Sequence, residues 1–119
     1  MNTNVSPVDL AKRYYAAMLD QDFVAMAHYL HPEVQFSSPL ASLSGREAVV
    51  AAAEKLVAQL ERINYRAEFS AGKQIMLAYD FIFHAPLGKL PAAVLMDMEM
   101  TAQQIVRIEL FFDAQTFKG

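Results

Sequence analysis

The stretch that decides the fold spans residues 74–101 and reads QIMLAYDFIFHAPLGKLPAAVLMDMEMT. It contains two apolar runs, 74–84 and 92–101, separated by a segment that includes Gly and Pro. Runs of this kind, rich in aliphatic and aromatic residues and bounded by turn residues, are typical of paired strands. The stretch therefore predicts a β-hairpin.

The predicted turn has an internal symmetry that indicates how its two strands pair. Residues 85–92 form a near palindrome centred between Gly88 and Lys89. If these two residues make a two-residue turn, Asp80 lies directly opposite Asp97. The sequence thus predicts two neighbouring carboxyl groups within a largely apolar sheet. A longer turn would separate them.

Patterns on either side of the hairpin complete the predicted fold. Capping residues and helical spacing predict helices that begin near Ser6, Asp22 and Ser44. The third starts with a Ser-Gly-Arg-Glu capping box and is predicted to continue to about Arg62. Further strands are predicted at 33–38, 63–69 and 105–113. Three helices followed by an antiparallel meander predict an α+β fold.

Length, charge and composition limit what the chain can be. Its 119 residues are predicted to form a single domain spanning 1–119. The net charge is −3 and the basic residues are scattered, so we expect no nucleic-acid and no membrane partner. The absence of Cys excludes disulfides, thiol nucleophiles and Cys-ligated zinc. The first residues lack the pattern of a signal peptide, which favours a cytoplasmic location.

Alternation divides the predicted meander into two faces. Face one contains Met76, Ala78, Asp80, Ile82, His84, Leu95, Asp97, Glu99, Thr101, Val106, Ile108, Leu110 and Phe112. Face two contains Ile75, Leu77, Tyr79, Phe81, Phe83, Val94, Met96, Met98, Met100, Ile105, Arg107, Glu109 and Phe111. Both faces are too apolar for water, and three helices cover only one. A second copy of the chain is predicted to cover the other, which gives a homodimer through the sheet.

Which face meets the helices decides what the acids do. If face one turns inward, Asp80, Asp97, Glu99 and His84 lie in an apolar cavity, as in many small-molecule sites. If face two turns inward, these side chains point to solvent and form the polar side of amphipathic strands. Residue patterns alone leave both arrangements open.

Several segments, in this order, carry a resemblance to a known superfamily. They are 11–17 (AKRYYAA), 22–23 (DF), 30–39 (LHPEVQFSSP), 43–49 (LSGREAV) and 105–113 (IVRIELFFD). The chain resembles the nuclear-transport-factor-2-like superfamily, especially its SnoaL-like and ketosteroid-isomerase-like members. The resemblance implies a cystatin-like cone, in which a curved, mostly antiparallel sheet wraps around the long helix and encloses a deep apolar pocket.

The isomerases of this superfamily suggest roles for three residues. Tyr14 matches the helix tyrosine and Asp97 matches the protonated aspartic acid that together form the oxyanion hole. The position of the catalytic base falls on Ser38. Because an unactivated hydroxyl does not abstract a proton from carbon at neutral pH, this departure argues against the ketosteroid reaction itself.

The limonene-epoxide-hydrolase-like members match the chain in a different way. Asp80 and Asp113 match their two acids, but the position of their arginine falls on Ala78. Both resemblances imply that Asp80 and Asp97 lie on the concave face. Simple alternation turns Asp113 away from that face unless a bulge shifts the last strand.

The expected catalytic groups are Asp97, Asp80 and Tyr14. Opposed carboxyl groups in an apolar cavity do not both ionise, so one would act as an acid and the other as a base, with Tyr14 as a hydrogen-bond donor. The expected ligand-binding residues are Phe36, Ser38, His84, Glu99, Ile82 and Phe112. Glu99 would lie at the rim, and His84 is either a proton carrier at the mouth or an ordinary surface residue.

The expected ligand is a small, mostly apolar molecule. No metal is expected, because the three His form no helical ligand pair and a metal site would need several acids as well. No cofactor is expected, because the expected acid/base chemistry proceeds without one. One hypothesis is an acid/base isomerase, cyclase or hydratase. The alternative is a ligand-binding or dimerisation domain without catalysis. In a third interpretation, bulky side chains fill the cone and leave no cavity.

Overall fold

A computed structural model describes residues 5–117, and the side chains of residues 5–115. Three α-helices, α1 (Pro7–Leu19), α2 (Phe23–His28) and α3 (Arg46–Val57), pack on one face of a sheet. The first two are capped as the sequence predicts. The Ser6 hydroxyl accepts the amide of Asp9 at 3.1 Å, and the Asp22 carboxylate accepts the amide of Ala25 at 3.1 Å.

The third helix differs from the prediction at both ends. Its N-cap is Gly45, whose φ of +94° suits glycine, and no side chain caps it, so the predicted capping box was wrong. The helix ends at Val57 rather than near Arg62. The next strand begins at Leu60, whose buried side chain joins the sheet instead of continuing the helix.

Six strands form one curved mixed sheet in the order β2-β1-β6-β5-β4-β3. They are β1 (Leu30–Ser37), β2 (Ser42–Ser44), β3 (Leu60–Ala71), β4 (Gln74–Phe83), β5 (Lys89–Glu99) and β6 (Gln104–Phe112), and a 3-10 turn spans Ala114–Phe117. Only the β1–β6 pair is parallel within the described residues. The α+β prediction is confirmed, and β2 is the strand that the sequence patterns missed.

The β4–β5 register differs from the one that the palindrome suggested. Gly88, at a φ of +76°, closes a longer loop in which its carbonyl accepts the amide of Phe83 at 2.8 Å. Asp80 therefore pairs with Pro91, and Asp97 lies at the far end of the hairpin, opposite Gln74. The prediction of directly opposed carboxyl groups was wrong because the turn is longer than two residues.

Face two of β4 and β5 is the one that meets the helices. Its buried members on these strands are Ile75, Leu77, Tyr79, Phe81, Phe83, Val94, Met96 and Met98. The inward placement of face one, which both resemblances implied, is therefore wrong for β4 and β5. Apolar bulk explains the choice, since the large aromatic side chains of β4 are all on face two.

A bulge changes the assignment on β6. Ile105 pairs with Met98, but the next pair joins Arg107 to Asp97, so Val106 is an extra residue. Beyond it, Ile108 pairs with Met96, and Leu110 and Phe112 follow on the helix side. One strand thus contributes members of both predicted faces to the same concave surface.

Candidate functional site

A cavity of about 310 Å³ lies between the helices and the concave face of the sheet. This volume is at the lower end of the usual range for small-molecule sites, about 300–1,000 Å³. Its wall is formed by Tyr14, Tyr15, Met18, Phe36, Ser38, Leu40, Ala41, Leu43, Val49, Ala52, Ala53, Leu56, Phe81, Phe83, Leu90, Ile108, Leu110 and Phe112. The side chains of the cone therefore leave room for a ligand.

The wall of the cavity is almost entirely apolar. Among the described residues that line it, none carries a charge, and the polar side chains are Tyr14, Tyr15 and Ser38. An ion inside such a wall would lose its hydration without gaining a counter-charge. The chemistry of the wall thus suits a neutral molecule.

Tyr14 lies on the inner side of α1, where helical spacing places it with Leu10 and Met18. Its side chain is buried, and burial raises the pKa of its phenol well above the ordinary value of 10.0. The phenol therefore stays protonated at neutral pH. Tyr14 lines the cavity, and its protonated hydroxyl is a hydrogen-bond donor.

Tyr15, the next residue of α1, reaches the centre of the sheet. Its hydroxyl lies 2.6 Å from that of Tyr79 on β4, and both side chains are buried. The Tyr14 and Tyr15 rings meet edge to face at 5.1 Å, and Tyr15 meets Tyr79 in the same way at 5.3 Å. Burial raises the pKa of both hydrogen-bonded phenols. These aromatic contacts fix α1 against the sheet at the edge of the cavity.

Ser38 directs its hydroxyl into its own turn. Its Oγ accepts the amides of Leu40 and Ala41, each at 3.2 Å, and its amide donates to the Ala41 carbonyl at 2.8 Å. The turn places Leu40 at the wall while leaving that side chain 56% exposed. Leu40 therefore lies where the cavity meets solvent, and Ser38 shapes this edge of the cavity.

A family model of the SnoaL-like domain matches residues 11–108. The chain belongs to the SnoaL-like domain family. None of the curated proteins compared with it matches. Solved structures share its fold: a protein from Kribbella flavida DSM 17836 is 22% identical, with a TM-score of 0.83 over 92% of this chain and 88% of that one.

Two further solved structures share the fold. An NTF2-like protein of unknown function from Cytophaga hutchinsonii ATCC 33406 is 21% identical, with a TM-score of 0.82 over 100% of both chains. A protein of unknown function with a cystatin-like fold from Methylobium petroleophilum PM1 is 14% identical, with a TM-score of 0.79 over 93% of this chain and 80% of that one. At these identities the likeness shows the fold.

Four of the residues singled out from the sequence lie on the cavity wall of this SnoaL-like domain: Tyr14, Phe36, Ser38 and Phe112. Phe36 pairs with Ile108 in the parallel β1–β6 ladder, and both point inward. Phe112 reaches the wall because of the bulge at Val106. Ligand contact at these four positions stays a prediction.

The two acids expected to be catalytic lie on the opposite face of the sheet. Asp80 forms an ion pair with Arg66, whose Nε lies 3.2 Å from its Oδ1. Asp97 accepts a hydrogen bond of 2.7 Å from Nε2 of Gln74, the residue opposite it. Neither carboxylate lines the cavity, because even-numbered positions of β4 and odd-numbered positions of β5 point away from the helices.

The remaining expected site residues are also outside the cavity wall. Ile82 shares the outward side of β4 with Asp80. His84 is exposed, and its Nδ1 lies 3.8 Å from the carboxylate of Glu61. Glu99 accepts the amides of Ala102 and Thr101, which lower the pKa of its carboxyl group. Asp113 is exposed and accepts the amide of Gln115 at 3.0 Å.

Sequence reasoning missed the aromatic side of the wall. Tyr15, Phe81, Phe83 and Leu90 line the cavity, and Tyr79 supports it. The available signal was the strict alternation of large aromatic residues on β4, which places them on the face that needs most burial.

Among residues 5–115, no group of His, Asp and Glu side chains is arranged to hold a metal ion. No helix of the described part is long and apolar enough to span a membrane.

Proposed function

We propose that this SnoaL-like domain binds a small, neutral, mostly apolar molecule in the cavity between α1, α3 and the concave face of the sheet. The observation that carries the proposal is the composition of the wall, which combines apolar side chains with tyrosine hydroxyls and, among the described residues, no charged group. Burial of apolar ligand surface would supply the affinity, at about 25 cal/mol per Å² before the cost of association.

The same wall argues against acid/base catalysis in the cavity. A catalytic acid or base is most effective when its pKa lies near the working pH. The titratable groups at the wall are Tyr14 and Tyr15, and burial raises the pKa of each phenol, which leaves them as neutral donors. Binding without turnover is therefore the proposed function, and turnover would be a contrary outcome.

Two related dyes test the proposed ligand class. N-phenyl-1-naphthylamine is neutral, and 8-anilinonaphthalene-1-sulfonate adds a sulfonate to the same aromatic frame. The chain has no Trp, so the dye fluorescence is read without tryptophan background. We expect one neutral dye per chain and an affinity for the sulfonate at least tenfold weaker, because the anion finds no cation at the wall. Equal affinities, or no saturable binding of the neutral dye, would reject the proposal.

A matched pair of variants locates the binding. Ala53 lies at the cavity wall, and Ala51 is exposed on the same helix. Ala53→Phe fills part of the cavity and should abolish binding of the neutral dye, whereas Ala51→Phe should leave it unchanged. Loss of binding in both variants, or in neither, would place the dye elsewhere.

We also propose that a second copy of the chain covers the outer face of the sheet, which is the face pointing away from the helices. Its apolar residues include Ala67, Phe69, Met76, Ala78, Ile82, Ala93, Leu95 and Phe111. Phe69 is 64% exposed and Phe111 is 47% exposed, which is unusual for aromatic side chains in a monomer.

The charges around this outer face suit self-association. Arg66 and Arg107 provide positive charge, and Asp97 and Glu109 provide negative charge on the same surface. A two-fold interface needs a surface that is complementary to itself, and a surface that carries both positive and negative charges meets this need.

Analytical ultracentrifugation tests the proposed dimer. The sedimenting species should have twice the chain mass of 13.3 kDa, and Phe111→Glu should sediment as a monomer. Val24→Glu, at an exposed apolar position of α2, is the control that should stay dimeric.

A further inference from the structure

Three residues of the cavity wall are themselves exposed, and they mark the mouth of the cavity. They are Leu40 and Ala41, in the turn between β1 and β2, and Ala52 in the middle of α3. The other wall residues are buried or half-buried. Solvent therefore meets the cavity between this turn and α3. Of the three exposed residues only Leu40 has a large side chain, so this side chain is the main obstacle at the mouth.

The turn that holds Leu40 is connected within itself. Among the described residues, the hydrogen bonds of residues 38–41 join these residues to one another. The Ser38 hydroxyl accepts the amides of Leu40 and Ala41, and the Ser38 amide donates to the Ala41 carbonyl. Pro39 fixes one backbone dihedral of the turn and has no amide to donate. The turn can therefore move as one unit without breaking a hydrogen bond to another part of the fold.

The attachment of the turn leaves this movement possible. The turn connects β1 to β2, a strand of three residues at the end of the sheet. Ser37 pairs with Ser42 at the base of the turn, and Leu43 is the half-buried residue that packs β2 against the core. Residues 39–42 are exposed. Because the free energy of local opening depends on the buried contacts that are lost, outward bending at this base should cost little.

We propose that Leu40 is the gate of the cavity: its side chain covers the mouth, and outward movement of residues 38–41 admits and releases the ligand. This inference rests on the proposed function and adds the route by which the ligand enters and leaves. A gate changes the association and dissociation rates by the same factor, because both pass through the same open state. A residue that only touches the bound ligand changes the dissociation rate and, with it, the affinity.

Leu87 provides a matched control for the gate. It lies in the loop between β4 and β5 and is 52% exposed, against 56% for Leu40, but it is not part of the cavity wall. Stopped-flow fluorescence of N-phenyl-1-naphthylamine gives both rate constants. In Leu40→Ala both should rise about fivefold, because a half-buried leucine contributes about half the transfer free energy of a fully buried one to the barrier. Leu87→Ala should leave both rate constants unchanged.

A second measurement closes the mouth instead of opening it. The chain has no Cys, so a cysteine introduced at position 40 can be alkylated alone. Leu40→Cys, loaded with the dye and then alkylated with N-cyclohexylmaleimide, should release the dye several-fold more slowly than before alkylation, because a larger group covers the mouth. The same treatment of Leu87→Cys should leave the release rate unchanged.

The two experiments separate the gate from the proposed function. A rise in the dissociation rate alone in Leu40→Ala would overturn the inference, because Leu40 would then be a ligand contact and not a gate. Equal effects at positions 40 and 87, or no effect at position 40, would place the entry route elsewhere and overturn it while the proposed function stands. Failure of the dye to bind the unmodified protein would reject the proposed function together with this inference.

Discussion

Arg66 and Asp80 form an ion pair on the outer face of the sheet, with Nε of the arginine 3.2 Å from Oδ1 of the carboxylate. The Asp80 side chain is only 12% exposed, whereas that of Arg66 is 51% exposed. The bulge of β3 between Tyr65 and Ala67 brings Arg66 beside Asp80. A nearly buried carboxylate thus has its cation on the neighbouring strand, on the side of the sheet away from the cavity.

This pair should contribute to stability. Arg66→Ala leaves the Asp80 carboxylate without its cation and should lower the free energy of unfolding by about 1 kcal/mol, a value reduced by the exposure of the arginine. Urea unfolding of Arg66→Ala, of the corresponding Asp80→Ala and of the double variant gives the coupling energy between the two side chains. A coupling below about 0.2 kcal/mol would show that the contact has no energetic role.

Binding of the neutral dye should not depend on pH between about 5 and 8. No carboxylate or imidazole of a described residue lines the cavity, and burial raises the pKa of Tyr14 and Tyr15 further from this range. The affinity of Asp97→Asn for N-phenyl-1-naphthylamine should equal that of the unmodified protein at each pH. A transition in this range that disappears in Asp97→Asn would restore Asp97 to the site.

The buried tyrosines should make the protein sensitive to alkali. Because burial raises the folded-state pKa of Tyr14 above its ordinary value of 10.0, the stabilising neutral form is fully present below pH 10. Stability should then fall above pH 10, by up to about 1.4 kcal/mol per pH unit for each such tyrosine. In urea unfolding between pH 8 and 11, the free energy of unfolding of Tyr14→Phe should fall less steeply with pH, by that amount per pH unit. Identical slopes for the variant and the unmodified protein would contradict the burial of the neutral Tyr14 phenol.

The turn at the edge of the cavity should loosen when its hydroxyl is removed. Ser38→Ala deprives the amides of Leu40 and Ala41 of their shared acceptor, and their hydrogen exchange should accelerate about fivefold, equivalent to about 1 kcal/mol. Ser42→Ala, in the neighbouring strand β2, is the matched control. Unchanged exchange at both amides would show that the backbone alone holds this turn.

Short-range features of the fold were accessible from the sequence. The caps of α1 and α2 depend on residues three apart, so Ser6 and Asp22 could be recognised directly. The separation of the hairpin into two faces was equally local, since alternation holds within each strand of β4 and β5. The resemblance to a known superfamily then added the expectation that the sheet curves into a cone around a pocket.

Long-range pairing decided the site, and here the residue patterns were insufficient. Because the loop that Gly88 closes is longer than a two-residue turn, Asp80 pairs with Pro91 and not with Asp97. The bulge at Val106 then brought Phe112 to the concave face while Asp97 stayed outside. Neither a loop length nor a single extra residue leaves a clear periodic signal, yet each changes which side chains meet in the cavity.

The most direct test of ligand binding in the cavity is a crystal structure of the protein grown with N-phenyl-1-naphthylamine. We expect one dye molecule in the cavity, packed between Tyr14 on α1 and Phe112 on β6. A dye bound on the outer face against Phe111, with the cavity empty or closed by its own side chains, would contradict this expectation.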